Sequence, residues 1–387
     1  MAHTQATHLI GMMSGTSCDG IDVAIIDVNS QKLAHFSAYP MPAELHEPIL
    51  RLASPGLNEI DTLGSLDRAL GLAFAKAANN AIKASNIAKE HILAIGNHGQ
   101  TIRHRPHYSG NHPFTLQIGC AATLAELTGL TIISDFRSRD IAAGGEGAPL
   151  VPFAHQQLFG QQHRPTAILN LGGIANITML NPDGSIQGFD TGPANMVMDA
   201  LMLQLSDGRH AYDQYGELAA SGNICTELLT VLMQEVFIFK TPPKSTGRET
   251  FGQTVVDYIM AWPDISDADR LATACALTVQ SIVANISHLH CKPEQWFVCG
   301  GGAKNKHLMH SLKQALAPAT IQTTDDLGIP SASVEAVSFA LLAKYALLGK
   351  ANTMAQVTGA RHDVCGGQIT PGENWPQVVQ WIQQNGF

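Results

Sequence analysis

The chain has 387 residues, of which 45% are apolar and only 14% charged, and its formal net charge is −9. That length exceeds one ordinary core and implies two domains, and the apolar content excludes a disordered chain. An acidic balance without any sizeable Lys/Arg cluster excludes nucleic acid as the expected partner, so an anionic ligand would be held by local donors.

The start, MAHTQATHLIGMM, has no basic flank and no long apolar run, and so does not read as a signal peptide. No segment reaches the roughly 18 uninterrupted apolar residues of a membrane span. Seven scattered cysteines without a C-x-x-C pair fit the reduced thiols of a cytoplasmic protein. His104, His107 and His112 lie close together in an expected loop, but no H-E-x-x-H accompanies them, and no protein metal site is expected.

From the N-terminus, residues 8–27 predict strand, turn, strand: LIGMM, then SGTSCDG, then IDVAIIDV, with a third strand over residues 33–40. The turn carries three hydroxyls, two glycines and one acid. Hydroxyls and uncovered amides suit phosphate oxygens, and the acid suits a Mg²⁺ held through water. It is not a G-x-x-x-x-G-K-[ST] loop, since no lysine follows. Residues 59–87 predict a helix with Leu63, Leu66, Leu70, Phe74, Ala77 and Ala81 on one stripe. A short strand over residues 93–96 should lead into a polar loop, NHGQTIRHRP, suited to ligand contact. A helix over residues 121–127 and a strand over residues 131–134 precede DFRSRD. The Gly-rich, Pro-bounded AAGGEGAPLVP, residues 142–152, predicts the crossing between domains.

Residues 167–199, AILNLGGIANITMLNPDGSIQGFDTGPANMVMD, repeat the early layout. Two strands flank a Gly172-Gly173 turn, and a third runs from residue 185 to a carboxylate, Asp190. Thr191-Gly192-Pro193 should end that strand. A carboxylate at a strand end beside a phosphate-holding turn suits a general base, and it equally suits a helix cap. Helices follow over residues 194–205 and 271–288. Between them lies a rigid loop, residues 241–249, TPPKSTGRE, whose Lys and Arg either reach an anion or stand in solvent. A strand at residues 295–299 ends in GGGAKN, a backbone open to close approach by a phosphate or a flat group. A last helix, residues 334–348, carries Glu335 in its first turn, where an acid also favours the helix dipole.

Two ribbons with phosphate turns and a later strand–GGG–helix turn resemble the sugar-kinase, acetate-kinase, Hsp70 and actin class of ATPases. Within that class the chain resembles the anhydro-N-acetylmuramic acid kinase family. The segments that carry this are GMMSGTSCDGIDVA, NHGQTIRHRP, DFRSRDIAAGGEGAPLVP, LNLGGIANIT, GFDTGPAN, PPKSTGRE, CGGGAKN and VEAVSFALLA, in order from Gly11 to Ala343. Cys18 departs from the family, where leucine is common.

The resemblance implies an α/β fold of two related ribonuclease-H-like (actin-like ATPase) domains with an interdomain ATP cleft. Residues 1–142 with 336–387 would form the first domain and residues 143–335 the second. It implies a phosphotransferase that uses ATP and Mg²⁺ to open 1,6-anhydro-N-acetylmuramate with water, giving N-acetylmuramate 6-phosphate in peptidoglycan recycling. Asp190 would be the catalytic base. Gly15, Thr16, Ser17, Cys18, Asp19, Gly20, Ile21, Asp22, Gly172, Gly173, Asn176, Gly300, Gly301, Gly302 and Asn305 would bind ATP. Gln100, Arg137 and Glu335 would contact the sugar, with Arg137 paired to its lactyl carboxylate. A cytoplasmic homodimer is expected. A conventional hexosamine kinase acting on a free hydroxyl is the alternative enzyme, and an ATP-gated binding protein is the alternative from another class.

Overall fold

The computed structural model describes residues 6–15, 18–107, 111–160 and 163–386. It divides into two packing units, Met1–Leu158 with Ser333–Phe387, and Phe159–Ala332. The expected division at residues 142/143 and 335/336 differs from this one. Leu150, Phe153 and Ala154 share a core with residues of the 334–347 helix, which groups the residues after 142 with the first unit.

In the first unit, β1 (His8–Ser14), β2 (Gly20–Asp27) and β3 (Leu33–Pro40) form an antiparallel meander. β4 (Ile92–Arg105) adds parallel to β1, β5 (Phe114–Ile118) pairs antiparallel with the far half of β4, and β6 (Ile132–Ser134) adds parallel to its near half. A short strand, Gln368–Thr370, closes the edge beside β6. Alternation sorts the sheet's two faces, because successive side chains of a strand point oppositely. Ile10, Met12, Val23 and Ile25 pack with Leu66, Leu70, Phe74 and Ala77 of the Glu59–Ser85 helix. Leu9, Met13, Ala24 and Ile26 pack with Val337, Ala340 and Leu341 of the Val334–Leu347 helix. That second helix is apolar nearly all round, as a helix enclosed on every side must be. Two glycines let it lie on the sheet: a Cβ on Gly11 would meet the Ala336 carbonyl oxygen, and one on Gly96 the Phe339 carbonyl oxygen.

In the second unit, β7 (Thr166–Leu171), β8 (Ile174–Leu180) and β9 (Ile186–Pro193) form another meander. β10 (Gln295–Cys299) runs parallel to β7, and β11 (Thr320–Thr323) parallel to β10. The sheet order β11-β10-β7-β8-β9 repeats the β6-β4-β1-β2-β3 order of the first sheet. Three antiparallel strands followed by two parallel ones is the ribonuclease-H-like arrangement, present here twice. The core of this unit lies between β7–β9 and the Asp267–Asn285 helix, through Leu169, Ile177, Leu271, Cys275 and Ile282.

Two local expectations are corrected. NHGQTIRHR is not a loop but the continuation of β4, because β5 supplies a partner for its backbone. β9 does not stop at Asp190: Asn176 pairs with Asp190, but Ala175 pairs with Gly192, so Thr191 is an extra residue, and pairing resumes through Pro193. Such a bulge bends a strand and re-aims its side chains. Proline is tolerated because β9 is the edge strand of its sheet.

Candidate active site

In the second unit the bulge sets Asp190 on β9 with only 7% of its surface exposed. The Thr246 amide donates to its Oδ2 at 2.9 Å, and its own amide donates to the Lys244 carbonyl at 3.3 Å. The loop at residues 241–247 therefore runs alongside the carboxylate and grips it by backbone groups. Two buried polar atoms belong to its neighbours, Asn176 Oδ1 on the paired strand and Thr246 Oγ1, and neither has a protein hydrogen-bond partner. Unsatisfied buried acceptors and hydroxyls of this kind are what a polar ligand would complete.

Lys244, which sequence left between anion binding and solvation, does neither. It is 1% exposed, and its Nζ donates to the carbonyls of Phe237 at 3.1 Å and Ile238 at 2.9 Å. The ammonium sits 4.8 Å from the Phe237 ring centroid and 5.8 Å from that of Phe189. Burial lowers its pKa to about 8, opposed by the nearby Asp190 charge.

The glycine turns of this unit adjoin one another. The Asn195 amide donates to the Gly172 carbonyl and those of Ala194 and Met196 to the Gly173 carbonyl, so the Gly-Gly turn is braced by the start of the Asn195–Leu205 helix. A Cβ on Gly172 would meet nothing nearer than 3.6 Å, so the turn is open to an incoming group. Gly300 has φ +83°, and its Cβ would lie 2.5 Å from Asn170 Oδ1; one on Gly302 would lie 2.6 Å from Leu171 Cβ. The GGG turn is thus pressed against the end of β7, with Gly301 exposed. The Asn305 side chain serves the fold, because its Oδ1 accepts the Leu308 amide at 2.9 Å and caps the Lys306–Ala315 helix.

In the first unit the turn after β1 is held from β4. Gln100 donates from Nε2 to the Gly15 carbonyl at 3.2 Å, and the Cys18 amide donates to the same oxygen at 3.1 Å. Ser14 Oγ and Gln100 Oε1 are buried without a protein partner. Thr16 and Ser17 lie outside the described residues. Cys18, with φ +58°, turns its thiol into the core; Asp19 is exposed, Gly20 and Asp22 are half-buried, and Ile21 is buried. Glu335 is half-buried in the first turn of the Val334–Leu347 helix.

Arg137 is tied to a buried histidine. His98 Nδ1 donates to the Gly99 carbonyl at 2.9 Å, which leaves Nε2 to accept from Arg137 Nε at 3.1 Å and Nη2 at 3.0 Å. Arg137 Nη1 also donates to the Gly147 carbonyl at 2.7 Å. Burial, and then the Arg137 charge, hold the His98 pKa well below its ordinary value, so the ring stays neutral and can accept. Other polar residues of β4 serve the fold: Arg103 pairs with Glu59 at 2.6 Å, and His104 Nδ1 lies 3.0 Å from Thr115 Oγ1 across the ladder. Among the described residues no group of three or more His, Cys, Asp or Glu is arranged to hold a metal ion.

The model of the anhydro-N-acetylmuramic acid kinase family matches residues 7–372. The chain belongs to this family. An anhydro-N-acetylmuramic acid kinase of Shewanella sediminis is 42% identical over 370 residues, covering 95% of this chain and 99% of its own. One of Coxiella burnetii is 40% identical over 368 residues, covering 95% and 98%. Among solved structures, an activator of 2-hydroxyisocaproyl-CoA dehydratase from Clostridium difficile with bound ADPNP superimposes with a TM-score of 0.45 at 12% identity, covering 87% and 94%.

Sequence reasoning on this kinase family member left open what Lys244, Thr246 and His98 do. PPKSTGRE and NHGQ were both noted as motifs, but nothing in a string says that a lysine is buried or that a histidine accepts from an arginine. The proline pair was the available signal, since it stiffens the loop that carries Lys244 and Thr246.

Proposed function

We propose that this chain uses ATP to open the 1,6-anhydro bridge of 1,6-anhydro-N-acetylmuramate and to phosphorylate O6, giving N-acetylmuramate 6-phosphate and ADP. The observation that carries the reading is Asp190: a buried carboxylate, oriented by the Thr246 amide and flanked by polar atoms without protein partners. In an ordinary sugar kinase the base takes a proton from the attacking hydroxyl. Here O6 is locked in an ether and has no proton to lose. Asp190 instead accepts a proton from a water whose oxygen bonds to C1 as the C1–O6 bond breaks. O6 then takes the phosphoryl group, which replaces the proton a glycosidase would supply.

The remaining roles follow from chemistry. Residues 15–22, Gly172, Gly173, Asn176 and the turn 300–302 are assigned to the nucleotide, whose phosphate oxygens suit an open glycine turn such as Gly172-Gly173. Asp19 in the first turn would hold the water shell of a Mg²⁺, which when bound would neutralise triphosphate charge. Gln100, Arg137 and Glu335 bind the sugar. Arg137 keeps three of its donors on His98 and Gly147, which would fix the guanidinium for a carboxylate. The product belongs to peptidoglycan recycling, in the cytoplasm, and the active species is a homodimer. Among the described residues no helix is long and apolar enough to cross a membrane.

Asp190→Asn tests the reading. Turnover should fall by at least about 10²-fold, the low end for a general base, while ATP still binds by calorimetry. Near-normal turnover refutes the assignment. Product formed in ¹⁸O-water separates the alternatives, because only opening of the anhydro bridge puts solvent oxygen on C1; unlabelled product would favour a conventional hexosamine kinase.

A further inference from the structure

Asp190 is held from behind by a buried polar network that the proposed reaction does not itself use. Ile238 sits in the short Val236–Phe239 helix, and its carbonyl accepts from both Lys244 Nζ at 2.9 Å and Asn285 Nδ2 at 3.1 Å. Asn285, at the end of the Asp267–Asn285 helix, also donates to the carbonyl of Thr191, the bulged residue, at 3.2 Å. Lys244 reaches back to the Phe237 carbonyl, and its own carbonyl receives the Asp190 amide. Two residues on, Thr246 donates to the Asp190 carboxylate. The 236–239 helix, the 241–247 loop, the long helix and the bulge thus meet around one ammonium and one amide.

We infer that Lys244 and Asn285 are positioning residues for Asp190: Asn285 locks the bulge that aims the carboxylate, and the Lys244 ammonium locks the loop that grips it. An isolated ammonium is costly to bury, and a cation on the flank of a strand is not needed merely to fill a core. Two carbonyls and two aromatic rings solvate it partially, and the Asp190 carboxyl is the acidic group near it. Among the described residues, Lys240 on its own loop and His288 in the turn after the long helix also act on it electrostatically. Neither supplies negative charge. Removing the ammonium therefore withdraws positive potential from Asp190, which raises the pH at which that carboxylate gains a proton.

The inference rests on Asp190 being the base, and the experiment keeps the two apart. Full-length Lys244→Met, Lys244→Arg, Asn285→Ala and Asp190→Asn are compared by pH profiles of kcat and kcat/KM, ATP calorimetry and thermal unfolding. Lys244→Met should lose kcat by about 10-fold or more at pH 7, with KM for ATP within twofold. Its acidic limb should move up by about 0.5–1 pH unit, and Lys244→Arg should return the limb towards its original position. A Lys244→Met limb that coincides with the parent's overturns the electrostatic role, since lost packing alone would lower kcat without moving it. Should that variant not fold, Asn285→Ala carries the test: a 5–10-fold loss of kcat at unchanged ATP affinity supports bracing, and unchanged kcat overturns it. If Asp190→Asn keeps its turnover, the base assignment itself falls. If Asp190→Asn is inactive while the other variants behave like the parent, only the network's role falls.

Discussion

Replacing Gly11 by alanine tests how the Val334–Leu347 helix is seated. The new Cβ would lie 1.8 Å from the Ala336 carbonyl oxygen and 2.5 Å from the Ala340 amide nitrogen, both backbone atoms that no rotamer change can move. Ordinary contact begins near 3.4 Å, so about 1.6 Å must open between β1 and the helix. Overpacking of this kind costs typically 1–3 kcal/mol, and backbone on both sides puts Gly11→Ala near the upper end, about 3 kcal/mol. For a unit of roughly 200 residues that lowers the calorimetric transition by about 6–12 °C. Gly96→Ala meets the Phe339 carbonyl oxygen at 2.2 Å, on the same helix but from the neighbouring strand, and should cost about 2–3 kcal/mol alone. One displacement of the helix relieves both clashes. The double variant should therefore lose only about 3–4 kcal/mol, well short of the sum, a coupling readily resolved by a double-mutant cycle. Since Glu335 rides on the first turn of that helix, KM for the sugar should rise in step. Additive losses, or transitions within about 1 °C of the parent, would refute the seating argument.

Acid should weaken the fold through three histidines that burial keeps neutral. His98 is held well below its ordinary pKa, and His104 and His155 are pushed down to about 3, in each case by burial first. Each takes up its proton only on unfolding, so stability is lost as pH falls below about 6.5, by about 1.4 kcal/mol per site at pH 5.5. Urea midpoints at pH 7.5 and 5.5 check this, and His155→Leu should recover about a third of the difference. His98→Ala removes the acceptor of two Arg137 donors; KM for the sugar should rise about 10-fold or more with a smaller change in kcat, and an unchanged KM would show that Arg137 needs no such support. Gly300→Ala sets a side chain at φ +83° within 2.5 Å of Asn170 Oδ1, and KM for ATP should rise at least about 10-fold in steady-state assays.

Much was legible in the string because it depends on neighbours in sequence. Short apolar runs marked β1, β2 and β7, alternation marked β8, the Leu66–Leu70–Phe74 stripe marked a helix, and Gly172-Gly173 and GGG marked turns. Even the twofold repeat of the meander showed as a pattern. What escaped depends on partners far along the chain. NHGQTIRHR became a strand only because β5 lies beside it, and β9 ran on past Asp190 only because β8 accommodates a bulge there. The burial of Lys244 needed carbonyls from residues 237 and 238 and rings from residues 189 and 237, and Arg137 needed the one tautomer of His98 that can accept. Periodicity records which face of an element is apolar; it is silent on which distant backbone oxygen will meet a given charge. Sequence alone therefore determined most of the elements near the site and singled out the candidate base, and tertiary packing decided how that carboxylate is aimed and what charge stands behind it, because desolvation and hydrogen-bond geometry exist only once the chain has closed on itself.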